Sequence, residues 1–230
     1  AVLPLADMSS DRTQEYFAEG MAEEVLHALA RIEGIRVVAR TSSFALKGKG
    51  LDVREIGRVL NVGAVLEGSV RASGGRFRIT AQLINVDDGF HVWSERFDRE
   101  AGDVFAVQDE ITASIVDRLS VTLRVAERAA LRKRKPVDPE AYALYLKGRY
   151  FQNRLGADTV EAALRAFGEA VTKDPTFARA HAGIASVWGD LASFNLAPPS
   201  VAWPKARAAV DQALALDPEL SDAHLVAAGM

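Results

Sequence analysis

Asp174-Pro175-Thr176-Phe177-Ala178-Arg179-Ala180-His181 is followed, 43 residues later, by Asp217-Pro218-Glu219-Leu220-Ser221-Asp222-Ala223-His224. The Asp-Pro and Ala-His pairs recur at one offset. Upstream, Ala163, Phe167 and Ala170 return as Ala206, Val210 and Ala213 with the same shift. A unit that repeats at a fixed period cannot bury its apolar face alone, so it stacks on its neighbour. The C-terminal part is therefore expected to be a stacked array.

Counting from Pro175 and Pro218 gives each unit a frame. In the second unit Ala180, His181, Ile184, Ala185 and Trp188 fall on one helix. In the first, Leu144, Gly148 and Phe151 take comparable places, with about three extra residues near Leu155-Gly156-Ala157. The large–small–aromatic spacing of Ile184, Ala185 and Trp188 resembles the tetratricopeptide repeat, a helix–turn–helix unit of ~34 residues. The offset here is that period plus ~9 residues of loop, placed at Phe194 to Trp203 with Pro198-Pro199. The third unit is the start of a first helix.

The resemblance implies that the first helix of each pair lines a concave groove. Carried over, Tyr142, Tyr145, Arg149, Gln152 and Asn153 face it from the first unit, and Arg179, Ser186 and Asp190 from the second. Tyr145, Arg149 and Asn153 lie four apart and share a helix face. Aromatic, arginine and amide side chains suit capture of an extended peptide. The plainer reading of any one of them is a solvated helix face.

Residues 1–120 alternate strand and helix signals. Ala1 to Leu5 reads as a strand. Thr13 caps a helix carrying Phe17, Met21, Val25, Leu29 and Ile32 at helical spacing, ended by Gly34. Ile35 to Ala39 is a β-branched run and reads as a second strand. Asp52 with Glu55 resembles a capping box for a helix through Val53, Ile56, Val59 and Leu60. Ala64 to Val70 is a third strand. Ser73-Gly74-Gly75 turns into a strand with alternating Phe77, Ile79, Ala81 and Leu83. Asp87-Asp88-Gly89, read as a type I′ turn, leads into Phe90 to Phe97. A last helix from Asp103 carries Val104, Val107, Ile111, Ile115 and Leu119. The pattern predicts a mixed sheet covered by helices.

The motifs of this part also form a recognisable set. They are Val2-Leu3-Pro4-Leu5, Gln14 to Gly20, Ala39-Arg40-Thr41-Ser42-Ser43-Phe44, Val65 to Arg71, Arg78 to Ile84, His91 to Asp98 and Phe105 to Ile111. Together they resemble the bacterial domain related to the N-terminal domain of TolB. That resemblance implies an α/β fold and a setting in large signalling proteins, ahead of tetratricopeptide repeats and behind a class III adenylate/guanylate cyclase, winged-helix or kinase domain. It implies no catalytic residue.

The predicted architecture is thus α/β at 1–135 and all-α helical repeats at 139–230. The boundary falls at Arg132-Lys133-Arg134-Lys135, Pro136 and Pro139, with Asp138 placed to cap a new helix. The basic run also complements the helix dipole it terminates.

Composition narrows the function. At 49% hydrophobic and 26% charged, with net charge −3, the chain is ordinary globular protein without an overall nucleic-acid footprint. Its lack of cysteine excludes disulfides, thiolate metal sites and cysteine nucleophiles. The four histidines have no metal spacing, and His181 and His224 share one repeat position, which predicts one shared packing contact. Asp87-Asp88-Gly89 lacks the remaining ligands of a calcium loop. Lys47-Gly48-Lys49-Gly50 lacks the first glycine and the final Ser/Thr of a phosphate loop, and reads as a flexible basic loop. Ser9, Ser10, Ser42 and Ser43 have no base partner at a readable spacing.

The expectation is a chain with no catalytic residue, metal or cofactor. It binds a protein or peptide, not nucleic acid, and homo-oligomers are compatible with it. It reads as a segment of a larger bacterial signalling protein, the parent being a nucleotide cyclase first and a winged-helix regulator second. A scaffold or envelope assembly factor without signalling output is the competing reading. No apolar stretch is long enough to span a bilayer, and cytoplasm and periplasm both stay open, including a membrane-anchored parent.

Overall fold

The computed structural model describes residues 1–100, 104–118, 137–154 and 156–230. The basic run Arg132–Lys135, the expected helix start at Asp103, Leu119 and Leu155 lie outside the described residues. The chain divides into two compact units, Ala1–Pro136 and Val137–Met230.

The first unit is a four-stranded mixed sheet in the order β1-β2-β3-β4. Its strands are β1 (Ala6–Asp7), β2 (Ala64–Ser73), β3 (Arg76–Asn85) and β4 (His91–Glu100). β1 runs parallel to β2, and β2, β3 and β4 are antiparallel. Ser73 pairs with Arg76 across Gly74 (φ 57°) and Gly75 (φ 77°), both left-handed, as a two-residue type I′ turn requires.

Among the described residues four helices accompany the sheet: α1 (Glu15–Ala30), α2 (Arg40–Phe44), α3 (Val53–Leu60) and α4 (Val104–Arg118). Phe17, Met21, Val25, Leu29 and Ile32 are all buried, as their helical spacing requires. α1 and α4 cover the face carrying Ile79, Leu83 and Phe97, with Phe17 and Phe77 ring centroids 4.6 Å apart. α3 sits on the opposite face, where Ile56 meets Val65 and Val86. Its capping box is complete: Asp52 accepts from the Arg54 and Glu55 amides, and Glu55 accepts from the Asp52 amide.

Five local expectations need correction. Ala1–Leu5 is not a continuous strand: Val2 makes one bridge to Leu66, pairing lapses around Pro4, and the strand proper is Ala6–Asp7. Ile35–Ala39 forms no strand and pairs with none of the four. Thr13 does not cap α1; the cap is Gln14, without a side-chain bond. Val59 is exposed. The Asp87–Gly89 turn is not type I′, since only Gly89 has positive φ (76°). Asn85 and Asp88 side chains close it by accepting the Asp87 and Phe90 amides.

Among its described residues the second unit has five helices: α5 (Pro139–Gln152), α6 (Ala157–Lys173), α7 (Ala178–Ser193), α8 (Pro199–Leu216) and α9 (Ser221–Ala228). Asp138 caps α5 through the Glu140 and Ala141 amides, with Pro139 in the first turn. α5 lies against α6, α6 against α7, α7 against α8, and α9 against both α7 and α8.

The 43-residue recurrence persists down to individual hydrogen bonds. The Asp174 amide donates to Ala170 O and the Asp217 amide to Ala213 O, both at 2.9 Å. Asp174 Oδ1 accepts the Thr176 amide at 3.0 Å, and Asp217 Oδ1 the Glu219 amide at 3.2 Å. His181 Nε2 lies 3.1 Å from Pro175 O, and His224 Nε2 lies 2.7 Å from Pro218 O. Ala163, Phe167, Ala170 and Ala180 are buried, and so are Ala206, Val210, Ala213 and Ala223. The residues that repeat are therefore those that close the turn and fill the core.

Stacking is tuned by volume. A Cβ on Gly148 of α5 would lie 2.5 Å from the Phe167 ring, and one on Gly183 of α7 would lie 2.6 Å from it. One repeat later Val210 replaces Phe167 and Val226 replaces Gly183, and these two occupy one apolar cluster. A large ring against glycine becomes two medium side chains, keeping the interior filled.

Candidate binding groove

α5 and α7 lie side by side, and the polar residues singled out by sequence meet along their contact. Gln152 Nε2 donates to Ser186 Oγ at 2.7 Å and to Asp190 Oδ2 at 3.4 Å. A carboxylate only accepts, so Asp190 sets the amide with its nitrogen toward α7. Gln152 Oε1 is consequently buried without a donor. An orphaned buried acceptor costs about 1–3 kcal/mol.

The charge of Arg149 acts on Asp190 from the same helix as Gln152. Loss of surrounding water raises the Asp190 carboxyl above its ordinary value of 3.8, against the opposing pull of the Gln152 hydrogen bond and the Arg149 charge. Further toward the start of the helices, the Arg179 guanidinium lies 5.0 Å from the centroid of the Tyr145 ring. Arg149 and Gln152 are half-buried, and Asn153 and Asp190 are exposed.

Two of the expected contacts fall elsewhere. Tyr142 and Tyr145 are buried, each 2% exposed. Tyr145 stacks on Tyr142 at 6.3 Å and meets Phe167 at 5.9 Å and Phe177 at 5.2 Å. They fill the space between helices and offer no open ring to a ligand. Helical spacing put Tyr145 on the same stripe as Arg149, but the stripe dips into the core at its N-terminal end. Asn153 stands at the end of α5, where its amide donates to Arg149 O at 2.9 Å. Arg149, Gln152, Ser186 and Asp190 thus form one cluster, with Arg179 a neighbour through Tyr145. What sequence did not reveal is that Gln152 bonds both Ser186 and Asp190; the signal would have been their facing positions on α5 and α7.

Among the described residues, no group of three His, Asp or Glu side chains is placed to hold a metal ion. No described helix is long and apolar enough to cross a membrane.

The class so defined is a mixed-sheet α/β unit joined to a stacked helical unit with a polar seam between its helices. No protein-family model matches the chain. A protein of Rhizobium meliloti (strain 1021) named "Putative adenylate cyclase 3" is 44% identical over 187 residues, which is 81% of this chain and 32% of that protein. The chain therefore spans about a third of the length of this relative. Among solved structures, lipoprotein GNA1162 from Neisseria meningitidis aligns with 53% of this chain and 96% of its own, at 17% identity and TM-score 0.37. The LpoB C-terminal domain from Salmonella enterica aligns with 43% of this chain and 77% of its own, at 15% identity and TM-score 0.23. Both are too distant to bear on function.

Proposed function

We propose that this chain is a non-catalytic regulatory and interaction region of a bacterial signalling protein, with a nucleotide cyclase as parent. On this reading the first unit is a domain like the N-terminal domain of TolB, and the second is a set of tetratricopeptide repeats whose groove takes an extended protein segment. The observation that carries the binding role is the orphaned Gln152 Oε1 beside Ser186 and Asp190. A segment laid across α5 and α7 supplies backbone N–H donors, and a turn of the Gln152 side chain toward them relieves the buried acceptor. Arg149 and Arg179 supply cations for a carboxylate on the same segment. The parent is argued from the identity shared with the Rhizobium meliloti protein.

The test starts from the segment recovered by pull-down with the full-length parent. Arg149→Ala is expected to weaken its binding by about 1–3 kcal/mol, as loss of an arginine anchor does. The melting temperature should barely move, because Arg149 is not a core residue. Intact affinity combined with unfolding of the helical unit would make Arg149 a packing residue and displace the groove.

A further inference from the structure

The first unit contains a cavity of about 600 Å³ between the outer face of the sheet and the segment that follows α2. That volume is ordinary for a small-molecule site. Its floor carries Glu67 and Ser69 of β2 and Thr80 and Gln82 of β3. Glu67 pairs with Gln82 and Ser69 with Thr80 in the sheet register, so the four side chains form a square on one face. Each is half-buried, and among the described residues none has a hydrogen bond or ion pair through its side chain.

A plain solvated sheet face also bears polar residues, but this one is walled. Leu3 and Leu5 stand on one side, and Leu46 and Leu51 on the other. The leucine-bearing segment is fastened to α1: Lys47 pairs with Glu15 and, at 2.7 Å, with Glu19, while Arg40 pairs with Glu23 at 3.0 Å. Gly68, between Glu67 and Ser69, has no room for a side chain, since a Cβ there would lie 2.0 Å from the Thr80 backbone oxygen and 3.1 Å from Leu5.

The charge balance selects the ligand. Glu67 and Lys47 are the charged lining residues, and Lys47 is neutralised by two glutamates. Nearby on the same sheet face, but outside the lining, stand Arg71, Arg78 and Arg96, the last two sharing the single Asp98 carboxylate. Among the lining residues the charge without an ion pair is the Glu67 carboxylate, which repels a phosphate or carboxylate placed against it and attracts an ammonium group. We propose that this cavity binds a small organic amine, with its ammonium on Glu67, its polar groups on Ser69, Thr80 and Gln82, and its hydrocarbon against the leucines. This gives the first unit a small-ligand input that does not depend on the groove of the second.

The test is an amide NMR titration of the whole chain with ethanolamine, putrescine and tyramine, and in parallel with glucose and inorganic phosphate. At least one amine is expected to shift the amides of residues 67–69 and 80–82 saturably. Glu67→Gln, which keeps the shape and removes the charge, is expected to weaken that midpoint about tenfold or more, as loss of a charge-assisted hydrogen bond does. Thr80→Val, also isosteric, is expected to weaken it several-fold and serves if the Gln variant is unstable. No saturable shift with any amine, a response to glucose or phosphate alone, or an unchanged midpoint in both variants overturns the proposal.

Discussion

Phe167 shows how a single position sets the spacing of the helical unit. Its ring is buried between Gly148 and Gly183, neither of which has room for a methyl group. Gly148→Ala and Gly183→Ala are each expected to destabilise the unit by about 1–3 kcal/mol through overpacking, seen as a lowered melting temperature. Phe167→Leu should recover part of that loss in the double variant but cost stability alone. Asp190 makes a prediction about pH. Its carboxyl is raised above 3.8, so the fold binds that proton more tightly than the unfolded chain does. The stability this contributes is complete below 3.8 and is lost as pH rises through the raised value. Asp190→Asn should therefore melt higher than the native chain at neutral pH, and the difference should shrink on acidification. A melting temperature unaffected at any pH would mean that the side chain is fully solvated.

At the level of elements, local chemistry was the legible part. The Asp52 capping box, the Asp138-Pro139 helix start and the Gly74-Gly75 turn are each fixed by residues within four positions of one another. Asp138→Ala is expected to destabilise the helical unit by about 1 kcal/mol, since the α5 amides of Glu140 and Ala141 lose their acceptor. Thermal unfolding of the helical unit measures it. Elements whose state depends on a distant partner were not legible. Ile35–Ala39 has strand propensity but pairs with none of the strands, and propensity alone does not make a ladder. The Asp87–Gly89 turn was misread because Asn and Asp side chains, here Asn85 and Asp88, can close a longer loop as well as a two-residue one. The tyrosines of α5 were misplaced for a similar reason. Spacing tells which residues share a stripe, not where Phe167 and Phe177 will arrive against it. The four-residue floor of the sheet cavity gave no sequence signal beyond ordinary polar alternation. It became a site only through the distant Leu46–Leu51 segment.

At the scale of the molecule, the chain combines a sheet unit with a walled polar cavity and a helical unit with an unsatisfied polar seam. The central claim is that the seam between α5 and α7 receives an extended segment. A photo-crosslinking amino acid at position 190 of the full-length parent tests it most directly, with the exposed position 211 on α8 as control. The account predicts that position 190 captures one defined segment, that position 211 does not, and that Arg149→Ala reduces the capture. Equal capture at both positions, or capture at 190 that is undiminished by Arg149→Ala, would contradict it.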